Sequence, residues 1–273
     1  MKRRALLTGA AATAALPFST AQESGAGFVD SNVYLGEWPF RKLPHSGARE
    51  LEPKLKSLGI TEARTGSFEA LFHRDLDAAN ATLSEQCQDT IFLPYGAINP
   101  TLPNWERSLR RIKDEFGMRG IRLHPNYHGY SLDDPRFIAL LQSAEKNDLP
   151  VQIAIRMEDV RTQHPKVSVP DVDTRPLPES LRAAPGVRVQ LLNALGSLRD
   201  SMTLERLGKL GVSFEIAMLE GIEGVRNQLD RAPNARLQFG SYAPFFSPEA
   251  ALLKLQESIL TDTELTVLKT GVG

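Results

Sequence analysis

The chain predicts a single-domain α/β protein, a (β/α)8 TIM barrel spanning residues 22–273. Three observations carry this prediction. Short apolar runs alternate with amphipathic segments eight times. No glycine-rich nucleotide loop follows the first run, which disfavours a doubly wound open sheet. No Pro-, Gly- or charge-rich linker divides the chain, and its length suits one large barrel.

The first strand is predicted over 28–34. Val29 and Val33 are β-branched, Gly36 ends the run, and Asp30, Asn32 and Tyr34 share one face by the strand's period of two. Further strands are predicted at 62–67, 91–98, 120–124, 150–156, 187–193, 212–216 and 235–240. Helices are predicted near 50–58, 75–88, 104–116, 135–147, 177–183, 201–210, 221–231 and 248–260. Start signals support several of them: Asp75, Asn104 before Trp105 and Glu106, Asp134 before Pro135, and Ser247 before Pro248 and Glu249. The connection after the fifth strand, 156–178, is long, polar and Pro-rich. In a barrel it lies over the mouth where active sites form.

Residues 1–21 read as a signal peptide: a basic start, an Ala-rich apolar run and small residues before a cut after Ala21. Arg3 and Arg4 directly ahead of the run point to the twin-arginine route and an exported, periplasmic or secreted, protein. The run is too short for a stable span, so no membrane contact is expected after its removal. Losing the positive charges of Lys2, Arg3 and Arg4 takes the formal net charge from −1 to −4, which offers nucleic acid no footprint. Cys87 is the single cysteine, which excludes an intramolecular disulfide and a thiolate metal cluster. The expected partner is a small-molecule substrate, with a homodimer as the guess for assembly.

Strand parity sends an unusual set of residues into the barrel. Ile121 and Leu123, Val151 and Ile153, Phe214 and Ile216, and Leu237 and Phe239 suit the helix-covered outside. Asp30, Asn32, Arg122, His124, Gln152, Arg156, Glu215 and Gln238 then face inward, where barrels ordinarily pack branched apolar side chains. Buried charges need partners, so Asp30 and Glu215 are expected to pair with Arg122 and Arg156.

"GFVDSNVYLG", "GIRLHPNYHGY", "LPVQIAIR", "VRVQLLNALG" and "LQFGSYAPF" follow the order and spacing of the amidohydrolase-related (amidohydrolase-2) proteins. The chain resembles the aminocarboxymuconate semialdehyde decarboxylase-like branch of these metal-dependent hydrolases over roughly residues 27–260. The resemblance implies an active site at the C-terminal face of the barrel. It also exposes departures. The first-strand histidine pair is replaced at Asn32 and Tyr34. The fifth-strand histidine aligns with Ala154, the sixth-strand histidine with Asn193 and the last-strand aspartate with Tyr242.

Asn is a poor zinc ligand and a phenol binds metal well only as phenolate, so the expectation is a site without a cofactor. The alternative is a divalent metal, zinc, relocated to His124, Glu215 and His128 or His73. The catalytic candidates are His124, His128 and Glu215, because imidazole and carboxyl groups perform acid–base work near neutral pH. The substrate-binding candidates are Asn32, Tyr34, Asn99, Arg122, Asn126, Arg156, Glu158 and Asn193. The arginines suit a carboxylate or phosphate, and Glu158, Asp159, Arg161 and His164 suit a lid. The resemblance implies a hydrolase acting on a small anionic ester, lactone or amide. The competing expectations are a non-catalytic ligand-binding barrel and a decarboxylase or hydrolase with relocated metal ligands.

Overall fold

A computed structural model describes residues 27–198 and 200–271. The signal-peptide expectation lies outside the described residues. Eight parallel strands follow one another around the sheet in chain order. They are β1 (Phe28–Leu35), β2 (Ile60–Ser67), β3 (Phe92–Ala97), β4 (Gly120–Leu123), β5 (Val151–Ala154), β6 (Val189–Leu192), β7 (Ser213–Glu215) and β8 (Arg236–Gln238). The ring closes where β1 meets the chain after β8: Ser31 N donates to Phe239 O (3.0 Å), Tyr242 N to Asn32 O (2.8 Å) and Tyr34 N to Ala243 O (2.9 Å). This is a single-domain (β/α)8 barrel, as expected.

Ten helices among the described residues cover and cap it: α1 (Ala48–Ser57), α2 (Leu76–Gln86), α3 (Trp105–Asp114), α4 (Pro125–His128), α5 (Pro135–Lys146), α6 (Leu177–Arg182), α7 (Ser201–Lys209), α8 (Gly224–Arg231), α9 (Pro248–Glu257) and α10 (Asp262–Thr270). Local chemistry starts several of them. Asp75 accepts from Ala78 N ahead of α2, Asp134 from Arg136 N ahead of α5, and Asp200 from Met202 N and Thr203 N ahead of α7. Two helices stand outside the sequence expectation. The turn α4 follows His124 directly, and α10 opens on a capping box between Thr261 and Glu264. No helix among the described residues is long and apolar enough to cross a membrane.

The outward strand faces behave as the parity predicts: Ile121, Leu123, Val151, Ile153, Phe214, Ile216, Leu237 and Phe239 join the main core under the helices. The inward faces divide into two layers. Near the N-terminal end, Arg122 Nε donates to Gln152 Oε1 (2.8 Å), Gln152 Nε2 to Gln190 Oε1 (2.7 Å) and Gln190 Nε2 to Gln238 Oε1 (2.9 Å). Each amide so meets an amide or guanidinium in the register that the strands impose. At the C-terminal end, Tyr34, Trp38, Phe68, Met157, Tyr242 and Phe245 form a separate aromatic cluster over the mouth.

Candidate active site

The centre of the C-terminal end is a buried hydrogen-bonded hub. Asn32 Nδ2 donates to Asn193 Oδ1 (2.8 Å) and to Glu215 Oε1 (3.2 Å). Glu215 also accepts from the backbone N–H groups of Asn193 and Ala217, both at 2.5 Å. Asn193 stands in the left-handed region (φ 56°), and its Nδ2 donates to Arg156 O (2.8 Å). Burial pushes the Glu215 carboxyl up to about 7, against the pull of those two N–H groups. Asp30, below it, accepts from Asn32 N (3.1 Å) and Ser241 N (3.0 Å), and burial raises it to about 6.

The expected pairing of these carboxyl groups with Arg122 and Arg156 is not made. Arg122 is fully buried and spends its donors on Gln152 Oε1, Val33 O (2.7 Å) and Arg64 O (2.8 Å). Its guanidinium lies 4.5 Å from the Tyr34 ring centroid. The side chain fits because Gly66 lacks a Cβ, which would stand 2.7 Å from Arg122 Cδ. Arg122 therefore ties strands together instead of reaching a ligand. Arg156 makes a two-point pair with Asp171, Nε to Oδ1 at 2.8 Å and Nη2 to Oδ2 at 2.5 Å. That pair fastens the insert after β5, where Ser197 Oγ also donates to Asp171 (2.5 Å). Backbone N–H groups displace the arginines as partners because they sit at the strand ends and cost no side-chain entropy to bring there.

His124 ends β4 and is 1% exposed. Its Nε2 lies 3.0 Å from Tyr34 Oη, and its Nδ1 is buried with no hydrogen-bond partner. Burial, with His128 and Arg122 nearby, holds the imidazole well below the usual histidine range, so it is neutral at pH 7. Burial also raises the Tyr34 phenol to about 12. A protonated phenol beside a neutral imidazole allows two arrangements. In one, Tyr34 Oη donates to Nε2 and the histidine proton sits on Nδ1. In the other, Tyr34 Oη turns to Met157 Sδ (3.6 Å), accepts from Nε2–H and leaves Nδ1 as a bare acceptor.

His128 stands one turn further on α4, its ring centroid 5.7 Å from that of His124. Its Nε2 lies 2.9 Å from Ala70 O, and burial lowers its pKa although the Ala70 and Ile98 carbonyls favour the charged ring. Above the pair, Tyr242 Oη donates to Met157 O (2.7 Å). Glu158 is 6% exposed, and burial raises its carboxyl while the Arg41 charge lowers it. Arg41 lies over the Phe245 ring at 4.1 Å. Sequence reasoning missed Arg41, Met157 and Asp171, for they carry no motif and matter only through where the first loop and the insert fold.

The remaining candidates hold the scaffold. Asn126 Nδ2 donates to Pro170 O (2.5 Å), pinning the insert to α4. Asn99 accepts from Thr101 N and Oγ1, both at 2.9 Å, and shapes the turn after β3. His73 is exposed after the turn that follows β2. Beside the insert, the space enclosed by Asn126, Tyr127, Ala154, Met157 and Pro170 is about 10 Å³. That is the size of one water probe, too small for an organic ligand.

No protein-family model matches the sequence, and no curated protein does. Among solved structures, the chain is similar to 5-carboxyvanillate decarboxylase of Novosphingobium aromaticivorans, with a TM-score of 0.69 at 15% identity over 90% of this chain and 95% of that one. It is similar to 2,6-dihydroxybenzoate decarboxylase from Rhizobium, with a TM-score of 0.67 at 13% identity over 90% and 96%. A Staphylococcus aureus structure bearing an amidohydrolase name gives 0.63 at 13% identity over 89% and 96%. At these identities the likeness shows the fold. The resemblance drawn from the strand motifs holds at that level.

These neighbours correct the expectation of a protein without a cofactor. The Novosphingobium enzyme was solved with bound manganese, so metal accompanies this fold among its neighbours. The side chains at the corresponding places do not fit such an ion as they stand. Asn32 gives its amide N–H groups to the hub, and burial keeps the Tyr34 and Tyr242 phenols protonated. No group of three or more His, Cys, Asp or Glu placed to hold a metal occurs among the described residues.

Proposed function

We propose that the chain is an acid–base enzyme, a hydrolase of amidohydrolase type that acts on a small aromatic carboxylic acid bearing an ester, lactone or amide bond. One observation carries the reading: His124 is a buried, neutral imidazole held on one side by Tyr34, with Nδ1 unpartnered at the C-terminal end of its strand. A buried ring nitrogen without a partner costs about 1–3 kcal/mol and is retained where a ligand or a transferred proton meets it. The mouth supports the choice of substrate. Aromatic rings of Phe40, Phe245 and Tyr127 surround it, and Arg41 supplies a cation for a carboxylate. The neighbouring decarboxylases are named for aromatic acids.

In this reading the Tyr34 hydroxyl sets the tautomer. With Nδ1 bare, His124 takes a proton from water as it attacks the carbonyl carbon. The proton then passes from Nδ1 to the leaving oxygen or nitrogen, which restores the neutral ring. Glu158 and Arg41 flank the entrance, and the insert held by Arg156 and Asp171 closes over the reacting group and excludes water. Export through the basic leader belongs to the same proposal.

A second reading rests on its own observation. The Asn32 and Asn193 amide donors and the Glu215 carboxyl are bonded within the hub and to the backbone, and an adjoining recess is about 10 Å³, which suits a barrel that binds a small acid without turning it over. Turnover of aryl esters and lactones by the full-length protein separates the two. His124→Ala is expected to lower kcat/KM by about 10²–10⁴. Absence of turnover, together with ligand-induced thermal stabilisation lost in Arg41→Gln, refutes the enzyme in favour of the binding barrel.

A further inference from the structure

His128 takes no part in the step assigned to His124, yet its ring is committed in the same way. Its Nε2 lies 2.9 Å from Ala70 O, and a carbonyl oxygen only accepts, so Nε2 carries the hydrogen. Burial lowers the pKa of the ring against the pull of the Ala70 and Ile98 carbonyls. The ring is therefore neutral at pH 7, and its Nδ1 is a bare acceptor. That nitrogen is buried without a hydrogen-bond partner, as Nδ1 of His124 is. The two rings meet edge to face, their centroids 5.7 Å apart and their planes at 77°. The turn between them is fixed: Pro125 opens it, His128 N donates to His124 O (3.0 Å), and Gly129 closes it in the left-handed region (φ 73°).

We propose that His128 is a positioning residue for the hydrolytic step: its Nδ1 accepts one hydrogen of the water whose other hydrogen His124 Nδ1 takes. The assignment deepens the reading of His124 as the base and rests on it. A single acceptor fixes one hydrogen of a water and leaves the molecule free to swing about that bond. Two acceptors on neighbouring rings fix both, so the lone pairs of the oxygen face away from the histidines, toward the carbonyl carbon to be attacked. In the step the oxygen bonds to that carbon, the O–H bond toward His124 breaks, and its proton goes to Nδ1 of His124. The second O–H bond stays intact, and His128 neither gains nor loses a proton. Its neutrality matters, because a charge on His128 makes His124 harder to protonate.

Scaffolding alone accounts for one nitrogen of His128, not for two. The bond to Ala70 ties α4 to the turn after β2 through Nε2 and asks nothing of Nδ1. Buried polar atoms without partners are rare, and each calls for a reason. Here two such atoms stand on neighbouring rings at the end of β4, and one water, a donor of two hydrogens, satisfies both. Tyr34 and Ala70 hold the opposite nitrogens of the two rings, so both acceptors are set by bonds made elsewhere in the barrel.

Two amide substitutions separate positioning from scaffolding. In His128→Asn the side-chain oxygen can stand where Nδ1 stood, whereas in His128→Gln the NH2 group can keep the bond to Ala70 O and no acceptor replaces Nδ1. Aryl ester turnover by the full chain is expected to lose about 10–100-fold in kcat in His128→Gln, with KM within about twofold, and His128→Asn is expected to retain more of it. A purely structural role reverses that order. Long-range proton–nitrogen NMR of histidine-labelled wild type is expected to show His128 with Nε2 protonated and Nδ1 bare at about pH 7 to 8. The spectra need no variant, so they decide the tautomer even where a substitution unfolds the chain. A protonated Nδ1 on His128, His128→Asn falling below His128→Gln, or unchanged kcat in both variants while His124→Ala abolishes turnover overturns the assignment and leaves His124 as the base. Absence of turnover in wild type overturns it together with the reading on which it rests.

Discussion

Glu215 offers a quantitative test of the hub through Glu215→Gln and pH. The carboxyl is fully buried, and its pKa rises from an ordinary 4.5 to about 7. Below pH 4.5 the group is protonated in both folded and unfolded chains and contributes no pH dependence. Between 4.5 and 7 the unfolded chain ionises first, so folding becomes less favourable as pH rises. Above 7 the loss is complete, and at about 1.4 kcal/mol per pH unit it amounts to about 3 kcal/mol. His124 and His128 titrate with the opposite sign, because their lowered values make the folded chain lose stability as pH falls. They cancel in the difference between wild type and variant.

Glutamine cannot ionise, but one of its ends must turn an NH2 group toward an N–H donor, either Ala217 N or the pair at Asn193 N and Asn32 Nδ2. At pH 4.5 the variant is therefore expected to be less stable by about 1–3 kcal/mol. By pH 8 that deficit should shrink by about 3 kcal/mol and close or reverse. For a domain of this size the change corresponds to about 6–12 °C in the difference of Tm values. Calorimetric melts of both proteins at half-unit steps from pH 4.5 to 8 measure it. A deficit that stays constant, or grows with pH, would show that the converging N–H groups outweigh burial and that Glu215 is an ordinary anion.

Two further outcomes follow from the same geometry. Gly66→Ala places a Cβ within 2.7 Å of Arg122 Cδ, and Arg122 is locked by bonds to three strands, so a loss of about 1–3 kcal/mol is expected in denaturant melts; an unchanged midpoint would mean the guanidinium is mobile. Arg156→Ala removes both bonds to Asp171 and should release the insert, speeding protease cleavage within 157–176 by about tenfold while global stability falls by less than about 2 kcal/mol; equal cleavage rates would show that Asn126 holds the insert without it.

Much of the barrel was legible in the sequence because strand parity is a local signal. β-Branched and apolar residues at alternate positions of 120–124, 150–156 and 212–216 name their outward faces without knowledge of partners. The helix α10 was missed: Thr261 and Glu264 stand at capping-box spacing, but its short apolar stripe after α9 reads as a tail. Charge partners were not legible. Counting two carboxyl groups against two arginines treats side chains as the available partners, whereas Asp30 and Glu215 found backbone N–H groups at Ser241, Asn193 and Ala217. Those groups arrive from strand ends and left-handed turns, as at Asn193 and Tyr242, whose geometry is set by closing the ring. Arg156 likewise found Asp171 fifteen residues on because the insert folds back, a tertiary event that no local pattern encodes.

The altered positions make physical sense only as a set. Asn32 donates to both Asn193 and Glu215, so replacing any one of the three leaves a buried donor or acceptor without its partner, at about 1–3 kcal/mol each. Tyr34 is tied to His124 by its hydroxyl and to Phe68 by stacking at 4.7 Å, while Tyr242 holds Met157 O under the insert. The hub commits the Asn32 and Asn193 amide donors and both Glu215 oxygens to one another and to the backbone, with Asn32 Oδ1 left unpartnered. His124 differs from them in being a neutral imidazole with one nitrogen fixed by Tyr34 and the other uncommitted. The proposed chemistry therefore centres on the corner between β4 and the insert.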